Sequence, residues 1–163
     1  MNGLILKCTG ITKNIIKELL KDIDILDLEF DIQYWESYGD DMEGANFDFN
    51  NTSEISSEII KNKLFIENNT LYPEFMELFA RKENDSKTEI FNYKDFLESK
   101  YIFSIVNYDY RNIEVCSKIP GILESIKKNF LNSDLKDKKI IELDHIPEDA
   151  ILKSWRQGKG ING

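Results

Sequence analysis

The spacing of apolar positions changes repeatedly along this chain, and each change marks an element. Gly3 to Cys8 is a short apolar run closed by Thr9-Gly10, the pattern of a strand. Ile15, Ile16, Leu19, Leu20 and Ile23 then recur at helical spacing, with Thr12 as the expected cap. From Leu28 to Trp35 the alternation is strict. Leu28, Phe30, Ile32 and Tyr34 take one side and Glu29, Asp31 and Gln33 the other, which predicts a half-exposed strand with an acidic outer face. Glu36 to Asn51, with Gly39 and Gly44, reads as a loop holding a brief strand at Phe47 to Phe49. Ser53 heads a short helix to about Asn62 that turns Ile55, Ile59 and Ile60 inward. Leu64 to Ile66 and Phe75 to Ala80 read as strands around a turn at Asn68-Asn69, with Pro73 at a strand start or edge.

The second half is more regular. Asn92 opens a short helix through Phe96 and Leu97. Tyr101 to Tyr108 is apolar at both parities, turns near Asp109 to Asn112 and returns at Ile113 to Cys116, a hairpin whose first strand is expected in the centre of a sheet. Ile102, Ile105 and Val106 should be buried there, and Phe103 at least partly. Pro120 sits where a first-turn proline belongs, ahead of a helix with Ile122, Leu123, Ile126, Phe130 and Leu131 on one stripe. Ile140 to Leu143 reads as a last strand, and Pro147 as the start of a terminal helix through Trp155. Strands and helices mix without strict alternation. The expected fold class is therefore α+β: one domain over residues 1–156 with a mixed, largely antiparallel sheet, helices mainly on one face, and a Gly-rich flexible tail at 157–163.

Charge changes this picture. Twelve carboxylates and no Lys or Arg fall between Asp22 and Ile60, which leaves 18 acidic and 21 basic residues elsewhere in a chain of net charge -9. One strongly negative third beside a mildly basic remainder favours a cationic partner and repels nucleic acid. The apolar run near the N-terminus is only Leu4, Ile5 and Leu6, too short for a secretory core, and no window is long enough to span a bilayer; a cytoplasmic location is expected, with no membrane partner. Cys8 and Cys116 are then two reduced, partly buried thiols.

Specific chemistry is sparse. His145 is the only histidine, at a strand-to-helix junction, and it forms no zinc spacing with two distant cysteines. Gly39-Asp40-Asp41-Met42-Glu43-Gly44 lacks the ligand positions of a calcium loop. Gly158-Lys159-Gly160 lacks the rest of a phosphate loop. No catalytic residue, cofactor or metal is expected. The sharper possibility is a contact surface in which Glu29, Asp31, Glu36, Asp40, Asp41, Glu43 and Asp48 surround the aromatic rings of Trp35 and Tyr38.

Several stretches together resemble an uncharacterised family of small cytoplasmic proteins from Bacillus-type Firmicutes. They are the first strand with Gly3, ILDLEFDI from Ile25, NYKDFLESK from Asn92, YIFSIVNYDY with its IEVC return, and LKSW near Trp155. The resemblance implies a compact bacterial cytosolic domain and carries no activity or functional residue. The expected function is a non-enzymatic acidic binding protein. An immunity or inhibitor protein that occludes the basic, nucleic-acid-binding or nuclease-like surface of another protein is the natural example. A scaffold or regulatory module, and a small-molecule-binding enzyme with a scattered site, are the alternatives.

Overall fold

The computed structural model describes residues 1–10, 14–37, 55–66, 73–108 and 111–152. Its frame is one six-stranded sheet: β1 (Gly3–Thr9), β2 (Leu28–Ser37), β3 (Pro73–Lys82), β4 (Tyr101–Tyr108), β5 (Asn112–Ser117) and β6 (Lys136–Leu143). The spatial order is β2-β3-β4-β5-β1-β6, and every neighbouring pair is antiparallel. The fold is thus the expected α+β domain. β4 lies inside the sheet with Phe103, Ile105 and Val106 fully buried and Ile102 half-buried, as its two apolar parities require.

One face carries the main core. Leu4, Leu6, Phe30, Ile32, Met76, Leu78, Phe103, Ile105, Ile113 and Val115 project to it from five strands. Across it pack α1 (Ile15–Leu20), α2 (Ser57–Lys61) and α4 (Pro120–Leu131), which add Ile16, Leu19, Ile60, Leu123, Ile126 and Phe130. Full burial of such a side chain contributes about 1.5–3 kcal/mol, so this face supplies most of the folding drive. Buried amides fix the helices in place: Asn129 donates to the Leu19 carbonyl at 3.0 Å and Asn14 to the Leu64 carbonyl at 2.7 Å.

Local departures from the expected elements have identifiable causes. The cap of α1 is Asn14, not Thr12. Asn14 has φ 52°, which asparagine tolerates, and its side chain accepts from the Lys17 N–H. Ser56, rather than Ser53, caps α2, and the expected strand at Leu64 to Ile66 is a π-helical turn over Asn62–Ile66. That turn carries Leu64 into the core and sets the Phe65 ring 5.2 Å from Phe30. The expected strand at Phe47 to Phe49 and the tail at 157–163 lie outside the described residues.

The opposite face is covered differently. α3 (Tyr93–Glu98) opens with the expected Asn92, here in a reciprocal capping box with Asp95. The expected helix from Pro147 is absent over the described residues. Pro147 to Ala150 forms a turn, and Ile151 makes an extended bridge with Asn92. The first helical N–H groups of α3 have no partner within their own helix. The Tyr93 and Lys94 N–H groups find the carbonyls of Ala150 and Glu148, both at 2.9 Å, which only a non-helical segment can present. The resulting lid buries Ile90, Tyr93, Phe96, Ile146, Ala150 and Leu152 against Ile5, Phe79, Tyr101 and Cys116. Gly3 is where the lid crosses the sheet: a Cβ there would meet the Val115 carbonyl at 2.8 Å and Ile146 Cδ1 at 2.9 Å.

Candidate functional site

The lidded face holds nearly all the buried charge. Glu29 stands opposite Arg81 in the β2–β3 register, and Arg81 opposite Tyr101 in the β3–β4 register. Asp31, two residues along β2, shares that face. The Asp31 carboxylate is 6 % exposed and accepts through Oδ2 from Arg81 Nε at 2.7 Å and from the Tyr101 hydroxyl at 3.0 Å. Lys87 Nζ lies 3.1 Å from Oδ1, off the direction of a hydrogen bond, and no donor among the described residues hydrogen-bonds that oxygen. Arg81 also pairs with Glu29 and donates to the Asp85 carbonyl at 2.7 Å. Burial alone would lower the Arg81 pKa, but Asp31 and Glu29 outweigh it and the guanidinium is held more firmly charged. The Tyr101 hydroxyl is pushed up to about 12, first by burial and then by the charge and hydrogen bond of Asp31.

A bulge in β2 shapes the space beside this network. Ile32 pairs with Leu78 and Tyr34 with Glu77, so Gln33 is the extra residue. Its amide donates to the Thr88 carbonyl at 2.7 Å and accepts from the Ile90 N–H at 2.9 Å, which moors the segment between β3 and α3. Between that segment and β2 lies a cleft of about 400 Å³ lined by Asp31, Ile32, Gln33, Lys87, Thr88, Glu89 and Tyr101.

Two further acids on this face escaped the sequence reading. Glu77 and Glu114 are buried and stand in register on either side of Val106, about 10 Å apart at two strand spacings. The Tyr108 hydroxyl is pushed strongly upward, first by burial and then by the carboxylates of Glu114 and Glu77. Cys116, pushed up to about 12 chiefly by burial, is an inert thiol at neutral pH. A lone carboxylate within an apolar strand, as in FMELFA and NIEVCS, was the legible sign.

The acidic surface expected from alternation is therefore corrected at its start. Glu29 and Asp31 come together, but around Arg81 and under a lid, so Asp31 does not face solvent. Trp35 is 8 % exposed and packs in the main core, because the bulge at Gln33 hands the inward parity from Tyr34 to Trp35. Glu36 contributes backbone to β2, opposite Phe75. Tyr38, Asp40, Asp41, Glu43 and Asp48 lie outside the described residues. Asp22 sits 3.5 Å from Lys128. His145 is exposed. Among the described residues no group of three or more His, Cys, Asp or Glu could hold a metal ion, and no helix is long and apolar enough to cross a membrane.

Within the acid-rich stretch, exposed carboxylates remain in the turn before β2 and on α2. Asp24 and Asp27 flank Leu26, which is 81 % exposed in the turn between α1 and β2. Asp24 accepts from the Leu26 N–H at 3.1 Å, and Lys61 of α2 donates to the Leu26 carbonyl at 3.1 Å. α2 itself exposes Glu58 and Ile59.

No curated protein and no solved structure matches the chain significantly. A family model described as "Protein of unknown function (DUF2691)" matches residues 1–150. That match spans both the main core and the lidded face, and the chain belongs to this family.

Proposed function

We propose that the protein is a non-enzymatic binding protein of the bacterial cytoplasm that presents carboxylates to a protein partner with a basic surface. The observation that carries this reading is Leu26, a large apolar side chain held in solvent between Asp24 and Asp27, neither of which is ion-paired among the described residues. An exposed apolar anchor with a carboxylate rim suits a surface where an apolar pocket is bordered by Lys and Arg. Proteins that bind nucleic acid carry such surfaces, and an inhibitor or immunity protein would occlude one. The reading centres on Asp24, Leu26, Asp27 and Glu58 in place of Glu29, Asp31 and Trp35, with Tyr38, Asp40, Asp41, Glu43 and Asp48 as its extension in sequence.

The test is capture from the producing cell with the wild-type chain, the Asp24→Lys/Asp27→Lys variant and Leu26→Asp in parallel. The expected partner is basic and is lost with rising salt. The charge-reversed variant should associate about tenfold more slowly at low salt, while Leu26→Asp should dissociate faster. A partner held equally by all three chains would refute the reading.

A further inference from the structure

The cleft beside β2 lies apart from the acidic turn. Its floor is Asp31 Oδ1, an oxygen shielded from solvent that accepts no hydrogen bond among the described residues while Oδ2 accepts two. Among the described residues the cation nearest to this oxygen is the Lys87 ammonium at 3.1 Å, on a side chain that is 49 % exposed and free to leave. Arg81 does not hold it: Nε donates to Oδ2, Nη1 pairs with Glu29 and donates to the Asp85 carbonyl, and none of these bonds reaches Oδ1. Tyr101, 1 % exposed, closes the base of the cleft, and Ile32, whose side chain is in the main core, offers main chain. A volume near 400 Å³ is within the range of small-ligand sites.

The geometry points to a binding site for a small organic primary amine, whose ammonium takes the place of Lys87 on Asp31 Oδ1. Its carbon body extends outward between Gln33 and the Thr88–Glu89 segment. Charge fixes the class of ligand. With Lys87 swung out, the charge at the base of the cleft is Asp31 and Glu29 against the guanidinium of Arg81 among the described residues, one negative charge in excess. An anion at Oδ1 would meet a carboxylate oxygen. Lys87 is thus a latch: in the unliganded protein it pairs by charge with the oxygen that the ligand would also hydrogen-bond.

Titration of butylamine, with butyrate and butanol as controls of equal length, tests this by calorimetry and by amide shifts in nitrogen-labelled protein. Lys87→Ala vacates the position without touching the Arg81 pair, and Lys87→Arg keeps a latch. Asp31→Asn would disturb folding and is not needed. Lys87→Ala should bind butylamine saturably and about tenfold more tightly than wild type, the worth of one displaced charged contact. Its shifts should centre on Gln33, Thr88 and Glu89, and Lys87→Arg should behave as wild type. Absence of saturable amine binding by Lys87→Ala, equal binding of butyrate, or shifts centred elsewhere would each overturn the proposal.

Discussion

Arg81→Met tests whether the buried network stabilises the sheet or merely occupies it. The methionine keeps most of the aliphatic volume between β2 and β4 and removes the guanidinium. Asp31 then retains the Tyr101 hydroxyl and the off-axis Lys87 ammonium but loses its 2.7 Å charged donor. Breaking one partner of a buried pair costs about 3–5 kcal/mol, because the other charge stays desolvated. Lys87 offsets part of this, and Glu29, nearer the surface, adds under about 1 kcal/mol, so the lower end, about 3 kcal/mol, is expected. That is a large share of the roughly 5–15 kcal/mol available to a domain. In equilibrium urea unfolding with a slope of about 2 kcal/mol per molar, the midpoint should fall by about 1.5 M. The double variant Arg81→Met/Asp31→Asn leaves neither member of this pair charged and should recover at least about 1 kcal/mol relative to the single. A single variant within about 1 kcal/mol of wild type, or a double variant less stable than the single, would refute the reasoning.

Gly3→Ala should destabilise by about 1–3 kcal/mol through overpacking, since its Cβ would press on the Val115 carbonyl and Ile146 Cδ1; thermal or urea unfolding reads this, and an unchanged midpoint would mean the lid yields freely. For Tyr101, the folded chain keeps its phenolic proton up to about 12, whereas the unfolded chain loses it near 10. The folded state therefore binds more protons in that window. Its stabilisation is present in full below pH 10 and lost as pH rises through the folded value, by about 2–3 kcal/mol. The stability difference between wild type and Tyr101→Phe should shrink over that interval by the same amount, and a difference flat across it would remove Asp31 and burial as the cause.

Much of the frame was legible because it rests on local signals. The apolar Tyr101 to Tyr108 run, Pro120 and Asn92 each name an element and a boundary, and the structure has all three. The elements misread were those decided by distant partners. Pro147 looked like a helix start, yet the segment after it is shaped by the orphan N–H groups of α3, more than fifty residues earlier. Leu64 to Ile66 has strand composition, yet Leu64 is claimed by the core and by the Asn14 amide as a helical turn.

The candidate site follows the same rule more sharply. Alternation in Leu28 to Trp35 reports parity, not solvent: it says which side chains share a face, and nothing about what covers that face. Whether an acidic parity is surface or interior depends on the residues placed opposite by register. Here Arg81 stands across from Glu29, and a tyrosine across from Arg81. The groups that pair with the acid-rich stretch lie far along the chain. Asp31 meets Arg81 at a separation of 50 residues and Tyr101 at 70, and Asp22 meets Lys128 at 106. A charge run that is unbroken within any sequence window is therefore partly cancelled once the sheet closes. What it leaves uncancelled is set by turn geometry: Asp24 bonds the Leu26 N–H and thereby holds both its own carboxylate and the leucine at the surface. Net charge alone would put the exposed acid on β2; among the described residues the register buries Asp31 and leaves Asp24 and Asp27 exposed in the turn that precedes β2.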